Sequence, residues 1–561
     1  MNKKMNKYKW VFPENDVKGS FLERVVKSRF GLDVDQNKFL NPKYDLGDPF
    51  LLPDMSKATK RIKEAIKNDE KIVIFGDYDV DGVTSCAMLW EVFSFLGKEV
   101  QIYIPDRFDE GYGLKESSLR NLKSGGVDLV ITVDCGIRDA KLIRKMSEEG
   151  LDIIVTDHHN VGDKTPECVA VVNPKRNTNE YPEKNLAGVG VAYGLARALL
   201  VEMGIEERKK EWFEKWNLDL VAMGTVADMM PLVGENRILV YYGLKVLSQT
   251  KKKGIRRILE IAEADISKTD SKTIGFVLGP RLNAAGRLDN AMLAFDLLTE
   301  NEDLEINMIA NNLDEKNRKR RTVTDEIIKE IVKSVDVDNL PPVFVMAKEG
   351  WSRGVIGLVA SRMMDRYYRP AFLAEIDDDK VVGSARGIEG VNVVEVLEGV
   401  SDLLDHFGGH SMAGGFSLKK SNWEDFVERV NNDVKKRLDG RDLQRELNVD
   451  LEVRFDELGH NLWNEWPKLE PFGMGNQEPI FVSKGIKIIN NKIIGKTGAH
   501  LKIDVMSGNE KKVLLWWGGA ENIGEFDESV EYDIAYKLNF NEYNGRRSID
   551  LILEDIRVAE L

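Results

Sequence analysis

The sequence predicts an α/β protein: a doubly wound parallel-sheet domain, a long bridging helix, a smaller α/β domain and a small C-terminal β-barrel. Three observations predict it. Short apolar strands alternate with helical segments between residues 71 and 160, as in a parallel sheet covered on both faces. Residues 302–336 contain no Pro or Gly and have helix-forming composition. Beyond about residue 446 the pattern changes to short alternating strands with hairpin turns.

Composition bounds the answer. A chain of 561 residues is too long for one core and suggests two to four domains. Its 42% hydrophobic and 31% charged content is that of an ordinary soluble protein. No apolar run approaches a membrane span, so no membrane association is expected. The basic start, Met1 to Trp10, lacks the apolar region of a signal peptide. Cys86, Cys135 and Cys168 are too few and scattered for a disulfide framework or zinc site, so a cytoplasmic setting is expected. The net charge of −14 argues against non-specific coating of nucleic acid, but bound cations reverse the sign locally.

Residues 1–55 are expected to form an extension lying over the first domain. That domain is expected over 56–300, opening with a helix from Met55 to Asn68. Ile72 to Phe75 reads as a buried strand, followed at once by Asp77, Asp79 and Asp81. A solvated turn is the plainer alternative. Three carboxylates within five residues repel one another, and oxygen ligands this dense suit Mg²⁺ or Mn²⁺. Val83 to Leu96 is a predicted helix and Glu99 to Ile104 a strand, leading to a loop with Asp106, Arg107, Asp109 and Glu110. Two more buried strands, Val127 to Val133 and Leu151 to Thr156, end at Asp134 and at Asp157-His158-His159. In a doubly wound sheet Asp77, Asp134 and Asp157 emerge at one edge, where such sheets bind ligands.

After Ala187-Gly-Val-Gly190 the chain turns helical, and Asp228 adds a further carboxylate. Gly279 to Arg287 places Arg281, Asn283 and Arg287 among small residues, as a phosphate cradle or a helix-capping turn with solvated arginines. The bridging helix, within 301–340, carries Lys316, Arg318, Lys319, Arg320 and Arg321, read as a solvated face. The second domain, 341–440, holds Trp351-Ser-Arg-Gly354, Gly383-Ser384-Ala-Arg386-Gly387 and Gly408-Gly-His410, where glycines let backbone N–H groups approach an anion. Five or so strands over 446–561 suit an OB-like barrel. Trp516, Trp517, Tyr543, Arg546, Arg547 and Lys502 offer base stacking and phosphate contacts there, with core packing an equal fate for either tryptophan.

Asp77, Asp79, Asp81, Asp134, Asp157 and Asp228, with His158 and His159, exceed the needs of one hard cation. Two metals about 3.5–4 Å apart, bridged by one carboxylate, would use them, activating water and steadying the leaving oxygen of a phosphate ester.

These motifs resemble the DHH/DHHA1 phosphoesterase superfamily: Asp77-Tyr-Asp-Val-Asp-Gly82, Val133-Asp-Cys-Gly136, Asp157-His-His159 and Gly408-Gly-His410. Their order and context are similar to the bacterial RecJ family, as are Phe50 to Met55, Ala187 to Gly190, Gly279 to Arg287, Val355 to Gly357 and Pro471 to Asn476. The resemblance implies a DHH domain, a DHHA1 domain and 5′-to-3′ exonuclease action on single-stranded DNA, in repair and recombination. It implies two ions, Mn²⁺ or Mg²⁺, with Asp79, Asp81, Asp134, His158 and Asp228 as ligands, Asp134 bridging, and Asp77 and Asp157 as ligands or their partners. His159 would face the scissile phosphate. Arg281, Asn283, Arg287 and His410 would steady substrate phosphates. Ser384 and Arg386, with Arg107, would hold a 5′-terminal phosphate. Selectivity for single strands would come from a narrow passage between the two domains. A single-strand-binding protein and a helicase are implied as partners of a monomeric enzyme. Ser352, Gly387 and Gly414 depart from the family's usual His, Ser and Ala. Competing readings are a DHH phosphodiesterase for very short oligonucleotides or nucleotide phosphates, and a non-catalytic replication scaffold.

Overall fold

A computed structural model describes residues 7–14, 17–106, 113–288, 290–527, 529–543 and 545–559. The chain forms two compact units, and neither is a continuous stretch. One comprises Pro42–Glu330 with Pro471–Asn476; the other comprises Met1–Asn41, Ile331–Glu470 and Gln477–Leu561.

The chain opens with strand β1 (Tyr8–Val11) and the helix Phe21–Phe30. Ser20 and Glu23 cap that helix reciprocally.

The first unit is built on β2 (Ile72–Gly76), β3 (Gln101–Tyr103), β4 (Leu129–Val133), β5 (Asp152–Thr156) and β6 (Ala170–Val172). All pair in parallel, in the order β3-β2-β4-β5-β6. Ile72, Ile74, Ile131 and Ile154 enter the core on one face of this sheet, and Val73, Phe75, Val130 and Ile153 enter the core on the other. Burial on both faces is why β2 and β4 are continuous apolar runs. Helix Val80–Phe95 follows β2, and helices Gly188–Glu202 and Leu218–Ala227 pack against it.

The segment after Asn41 belongs to this unit, with Tyr44 Oη 2.6 Å from Tyr193 Oη and Gly47 N donating to Glu235 at 3.2 Å. Downstream, Gly279–Leu288 is an α-helix rather than a turn. The long helix runs from Asp303 to Ser334. The hexapeptide Pro471–Asn476 returns to this unit, where Leu232 N donates to Met474 O at 2.7 Å and Ser271 Oγ donates to Phe472 O.

The second unit has a mixed sheet of β7 (Phe344–Glu349), β8 (Ala371–Asp377), β9 (Lys380–Arg386), β10 (Leu404–His410) and β11 (Ala413–Lys419), ordered β10-β11-β9-β8-β7. Phe372, Val381, Ala385, Phe416 and Leu418 face its core. After β12 (Arg445–Asn448) and β13 (Leu451–Glu452) come β14 (Phe481–Ile494), β15 (His500–Ser507), β16 (Glu510–Trp516), β17 (Glu531–Tyr543) and β18 (Arg546–Val558). These last five close into a barrel in the order β14-β15-β16-β18-β17, with β17 pairing back onto β14. Gly508-Asn509 makes the expected turn between β15 and β16.

The first thirty residues correct the expected placement of the N-terminal extension. β1 pairs in parallel with β12, from Tyr8 opposite Arg445 to Val11 opposite Asn448. Trp10 Nε1 donates to Asp555 Oδ2 at 2.8 Å, and Arg29 pairs with Asp450. A four-residue strand cannot stand alone, and its open edge finds an equally short strand more than four hundred residues away.

Candidate metal centre and active site

Three loops at the carboxyl edge of the parallel sheet and the end of one helix build the site. After β2, Asp79 caps helix Val80–Phe95, its Oδ1 accepting from Asp81 N at 2.9 Å and Gly82 N at 3.1 Å. That cap sets Asp81 in the first turn, buried, where its carboxylate meets another helix start: Gly188 N donates at 2.6 Å and Val189 N at 2.9 Å. After β4, Asp134 adopts a left-handed backbone, φ 59°, a strained conformation for a non-glycine residue. Gly188 admits it: a Cβ there would stand 2.7 Å from Asp134 Cβ. After β5 come Asp157, His158 and His159. Asp228 ends helix Leu218–Ala227, in which Gly224 lies so close that a Cβ would stand 2.7 Å from Asp81 Oδ1.

His158 Nε2 is the meeting point. It lies 3.1 Å from Asp134 Oδ1, 3.5 Å from Asp228 Oδ2 and 3.8 Å from Asp81 Oδ2. Ligand atoms gather in three overlapping groups: Asp134, His158 and His159; Asp81, His158 and Asp228; Asp77, Asp79 and Asp134. Both ring nitrogens of His158, Asp134 Oδ1 and Asp228 Oδ2 are buried without a hydrogen-bond partner. Orphaned polar atoms of this kind are costly, and a divalent cation would satisfy His158 Nε2, Asp134 Oδ1 and Asp228 Oδ2 together. Burial and His159 push His158 down to about 3, leaving a neutral imidazole suited to metal ligation. Burial and neighbouring carboxylates push Asp81 and Asp134 well up; burial and Asp79 push Asp228 up to about 7.

Asp157 is different in kind. Its carboxylate accepts from Ile137 N (2.9 Å), His158 N (2.7 Å), His159 N (3.0 Å) and His159 Nδ1 (2.8 Å). Burial alone would raise it, but the His159 ring and these N–H groups hold it below its ordinary range. It therefore orients the two histidines rather than joining the orphaned set. Burial works to lower the His159 pKa, and Asp157 outweighs it, leaving the ring raised.

The expected substrate residues belong to both units. Arg281 is buried, with Nε 3.0 Å from Asp314 Oδ1 of the long helix and Nη1 donating to Val277 O at 3.0 Å. Neither an open cradle nor a solvated arginine describes it. Asn283 is half-buried on the same helix. The Arg287 side chain and all of Arg107 lie outside the described residues. In the second unit His410, Ala413 and Arg386 share one rung of the mixed sheet. Arg386 donates to Ser361 Oγ at 2.9 Å and Ala385 O at 2.8 Å, and it meets no carboxylate among the described residues. Burial pulls its pKa down. Gly357 opens space beside it, since a Cβ there would stand 3.2 Å from both Arg386 Nη2 and Ser384 Oγ. In the barrel the two tryptophans divide: Trp516 is buried, Trp517 half-exposed against the His500 ring.

The comparisons agree with this architecture. Residues 71–225 match the DHH family, N-terminal domain; 340–436 match the DHHA1 domain; 449–555 match the RecJ OB domain. The single-stranded-DNA-specific exonuclease RecJ of Haemophilus influenzae is 34% identical over 555 residues, covering 96% of this chain and 95% of that one. The chain belongs to the RecJ family. The RecJ of Bacillus subtilis is 38% identical over 544 residues, 96% of this chain and 67% of that one. The crystal structure of RecJ in complex with Mn²⁺ from Thermus thermophilus superposes with a TM-score of 0.83 at 28% identity, covering 96% of this chain and 76% of that one. A Mg²⁺ complex from the same organism gives 0.74.

Two departures from the RecJ pattern have a local reason. A Cβ on Gly387 would stand 2.6 Å from Val391 O, and one on Gly414 would stand 2.9 Å from Val393 Cγ1. Neighbouring chain fills the room a side chain would take. Ser352 precedes helix Arg353–Tyr367 without a capping hydrogen bond, and nothing in the structure explains it. Sequence reasoning missed Asn173, whose buried amide donates to His159 O at 3.0 Å; its Asn-Pro turn signal was the available clue.

Proposed function

We propose that this protein is a single-stranded-DNA-specific exonuclease that hydrolyses phosphodiester bonds with Mn²⁺ or Mg²⁺, working 5′ to 3′. The observation that carries the reading is the set of orphaned ligand atoms around His158 Nε2, in a chain of the RecJ family. RecJ of Thermus thermophilus has been solved with Mn²⁺ and with Mg²⁺. Asp77, Asp79 and Asp134 would hold one ion and Asp81, His158 and Asp228 a second; Asp134 Oδ1 lies 3.1 Å from His158 Nε2, so its carboxylate would serve both. When bound, the ions supply Lewis acidity toward the phosphate oxygens and the attacking water.

The chain's own groups do the rest. Asp157 fixes His159 through Nδ1 and favours its protonated form, so the ring donates to an oxygen of the scissile phosphate. Arg386, with no carboxylate partner among the described residues, holds the 5′-terminal phosphate with Ser384, and His410 on the same rung steadies a substrate phosphate. Asn283 and Arg287 contact substrate phosphates, and Arg281 acts by seating the helix that carries them. The barrel engages the strand through exposed groups such as Trp517. A helicase and a single-strand-binding protein supply the strand to a monomeric, cytoplasmic enzyme.

The test is digestion of a long oligonucleotide labelled at either end, single- or double-stranded, with Mn²⁺, Mg²⁺ or EDTA, beside Asp134→Ala. Early release of the 5′ label as mononucleotide, from single strands only, is expected, and EDTA and the variant abolish it. Cleavage confined to very short oligonucleotides favours the small-substrate phosphodiesterase; binding without cleavage under any metal favours the scaffold.

A further inference from the structure

Two cations near the carboxylates of the centre, Lys175 and Arg138, form no ion pair among the described residues. Lys175 stands in the turn Asn173-Pro174-Lys175-Arg176, which is stapled to the histidine segment. Asn173 Nδ2 donates to His159 O at 3.0 Å, and Asn173 Oδ1 accepts from Lys175 N at 2.8 Å. The next residue, Arg176, serves the fold, with Nη1 2.6 Å from Asp54 Oδ2. Lys175 does not: it is half-buried yet forms no ion pair among the described residues. It lies near enough to Asp228 and Asp157 to be attracted and near enough to Arg138 to be repelled.

Arg138 follows Ile137, whose N–H is anchored on Asp157 Oδ2 at 2.9 Å. It is exposed, and it too pairs with no carboxylate among the described residues. Elsewhere in the same unit Arg61, Arg120, Arg176 and Arg281 all carry carboxylate partners. Two like charges held near each other, neither in an ion pair among the described residues, repel, and an anion between them relieves that repulsion. A strand with its scissile phosphate among these carboxylates brings further negative charges with it, one per nucleotide.

We propose that Lys175 and Arg138 form a second phosphate subsite, which binds an internucleotide phosphate neighbouring the one being cleaved. The inference rests on the exonuclease reading. It adds a grip on the strand within the first unit, separate from Ser384 and Arg386.

The test uses the full chain with Mn²⁺ and single strands that carry one neutral methylphosphonate at successive linkages near the 5′ end. Lys175→Met and Arg138→Gln are compared with the wild type. The wild type is expected to lose about tenfold in kcat/KM when one particular uncleaved linkage is neutral. Lys175→Met is expected to lose as much on the natural strand, through KM, and nothing further on that neutral strand. Lys175→Arg retains most of the wild-type KM, and each cation removed flattens the log–log salt dependence of KM by about one unit. Losses equal on every strand, or a loss traced to weaker Mn²⁺ binding in a direct titration, overturn the subsite. A wild type that cleaves but shows no linkage-specific sensitivity also overturns the subsite alone. A wild type that cleaves no strand overturns the exonuclease reading and the subsite with it.

Discussion

Arg281 and Asp314 face each other in the interior, Nε to Oδ1 at 3.0 Å, and join helix Gly279–Leu288 to the long helix Asp303–Ser334. Arg318, mostly exposed, reaches the other oxygen of Asp314 at 2.8 Å. Removing one partner of a buried pair leaves the other charged and desolvated. Asp314→Ala is expected to destabilise the protein by about 3–5 kcal/mol, and Arg318→Ala by under about 1 kcal/mol. Chemical denaturation of both variants checks the contrast; equal costs would refute it.

Asp157→Asn keeps the shape of a carboxylate that accepts four hydrogen bonds, and removes its charge. Its effect falls on the orientation and protonation of His159. A drop of about 10- to 100-fold in kcat/KM is expected, with near-normal folding. The alkaline limb of the pH–rate profile should move to lower pH, because Asp157 is what raises His159. An unchanged profile would remove His159 from the reaction.

Gly224→Ala puts a methyl group 2.5 Å from Thr84 Oγ1 and 2.7 Å from Asp81 Oδ1. Helix Leu218–Ala227 must then retreat from the centre. Weaker Mn²⁺ binding is expected, read by direct titration, with a loss of activity that added Mn²⁺ partly restores.

The metal-free protein should lose stability as pH rises through about 7. Burial and Asp79 raise Asp228 to about 7, against an ordinary value near 3.8. The folded state therefore holds a proton that the unfolded state has released, and that advantage vanishes above the folded pKa. His158, depressed to about 3, works the opposite way but only below about pH 6.5, where the unfolded imidazole takes up its proton. Melting in EDTA from about pH 6.5 to pH 8 leaves His158 out of the trend, and comparison with Asp228→Asn separates Asp228 from Asp81, Asp134 and His159, which are also raised. A fall in Tm is expected for the wild type and a smaller one for Asp228→Asn. Saturating Mn²⁺ should abolish the trend.

Trp10→Ala should destabilise the second unit by about 3–5 kcal/mol. The indole is buried and donates to Asp555, a buried carboxyl that also accepts from Lys7 N and Tyr8 N. Trp10→Phe, which keeps most of the bulk, should cost about 1–3 kcal/mol. No change in either variant would mean that β1 contributes nothing to the unit.

The metal centre was legible because its geometry follows from topology. β2, β4 and β5 are parallel, so whatever follows Gly76, Val133 and Thr156 must share an edge. The pairing of β1 with β12 was not legible, since four residues carry no signal for a partner so far along the chain. Arg281 was misjudged for a related reason. Its counter-ion sits in a helix whose charges suggested a solvated face, and residue type alone does not say which charge turns inward. Lys175 and Arg138 were overlooked because an unpaired cation differs from a paired one only in three dimensions.

The hexapeptide Pro471–Asn476 has a consequence for dissecting the molecule. It closes over Leu232, which is almost wholly buried, yet it is encoded far downstream of the rest of its unit. Cutting the gene after the long helix would excise the carboxylates and histidines intact and leave an apolar scar at Leu232. Such a fragment should precipitate or bind detergent, and supplying the hexapeptide as a short tail should rescue its solubility.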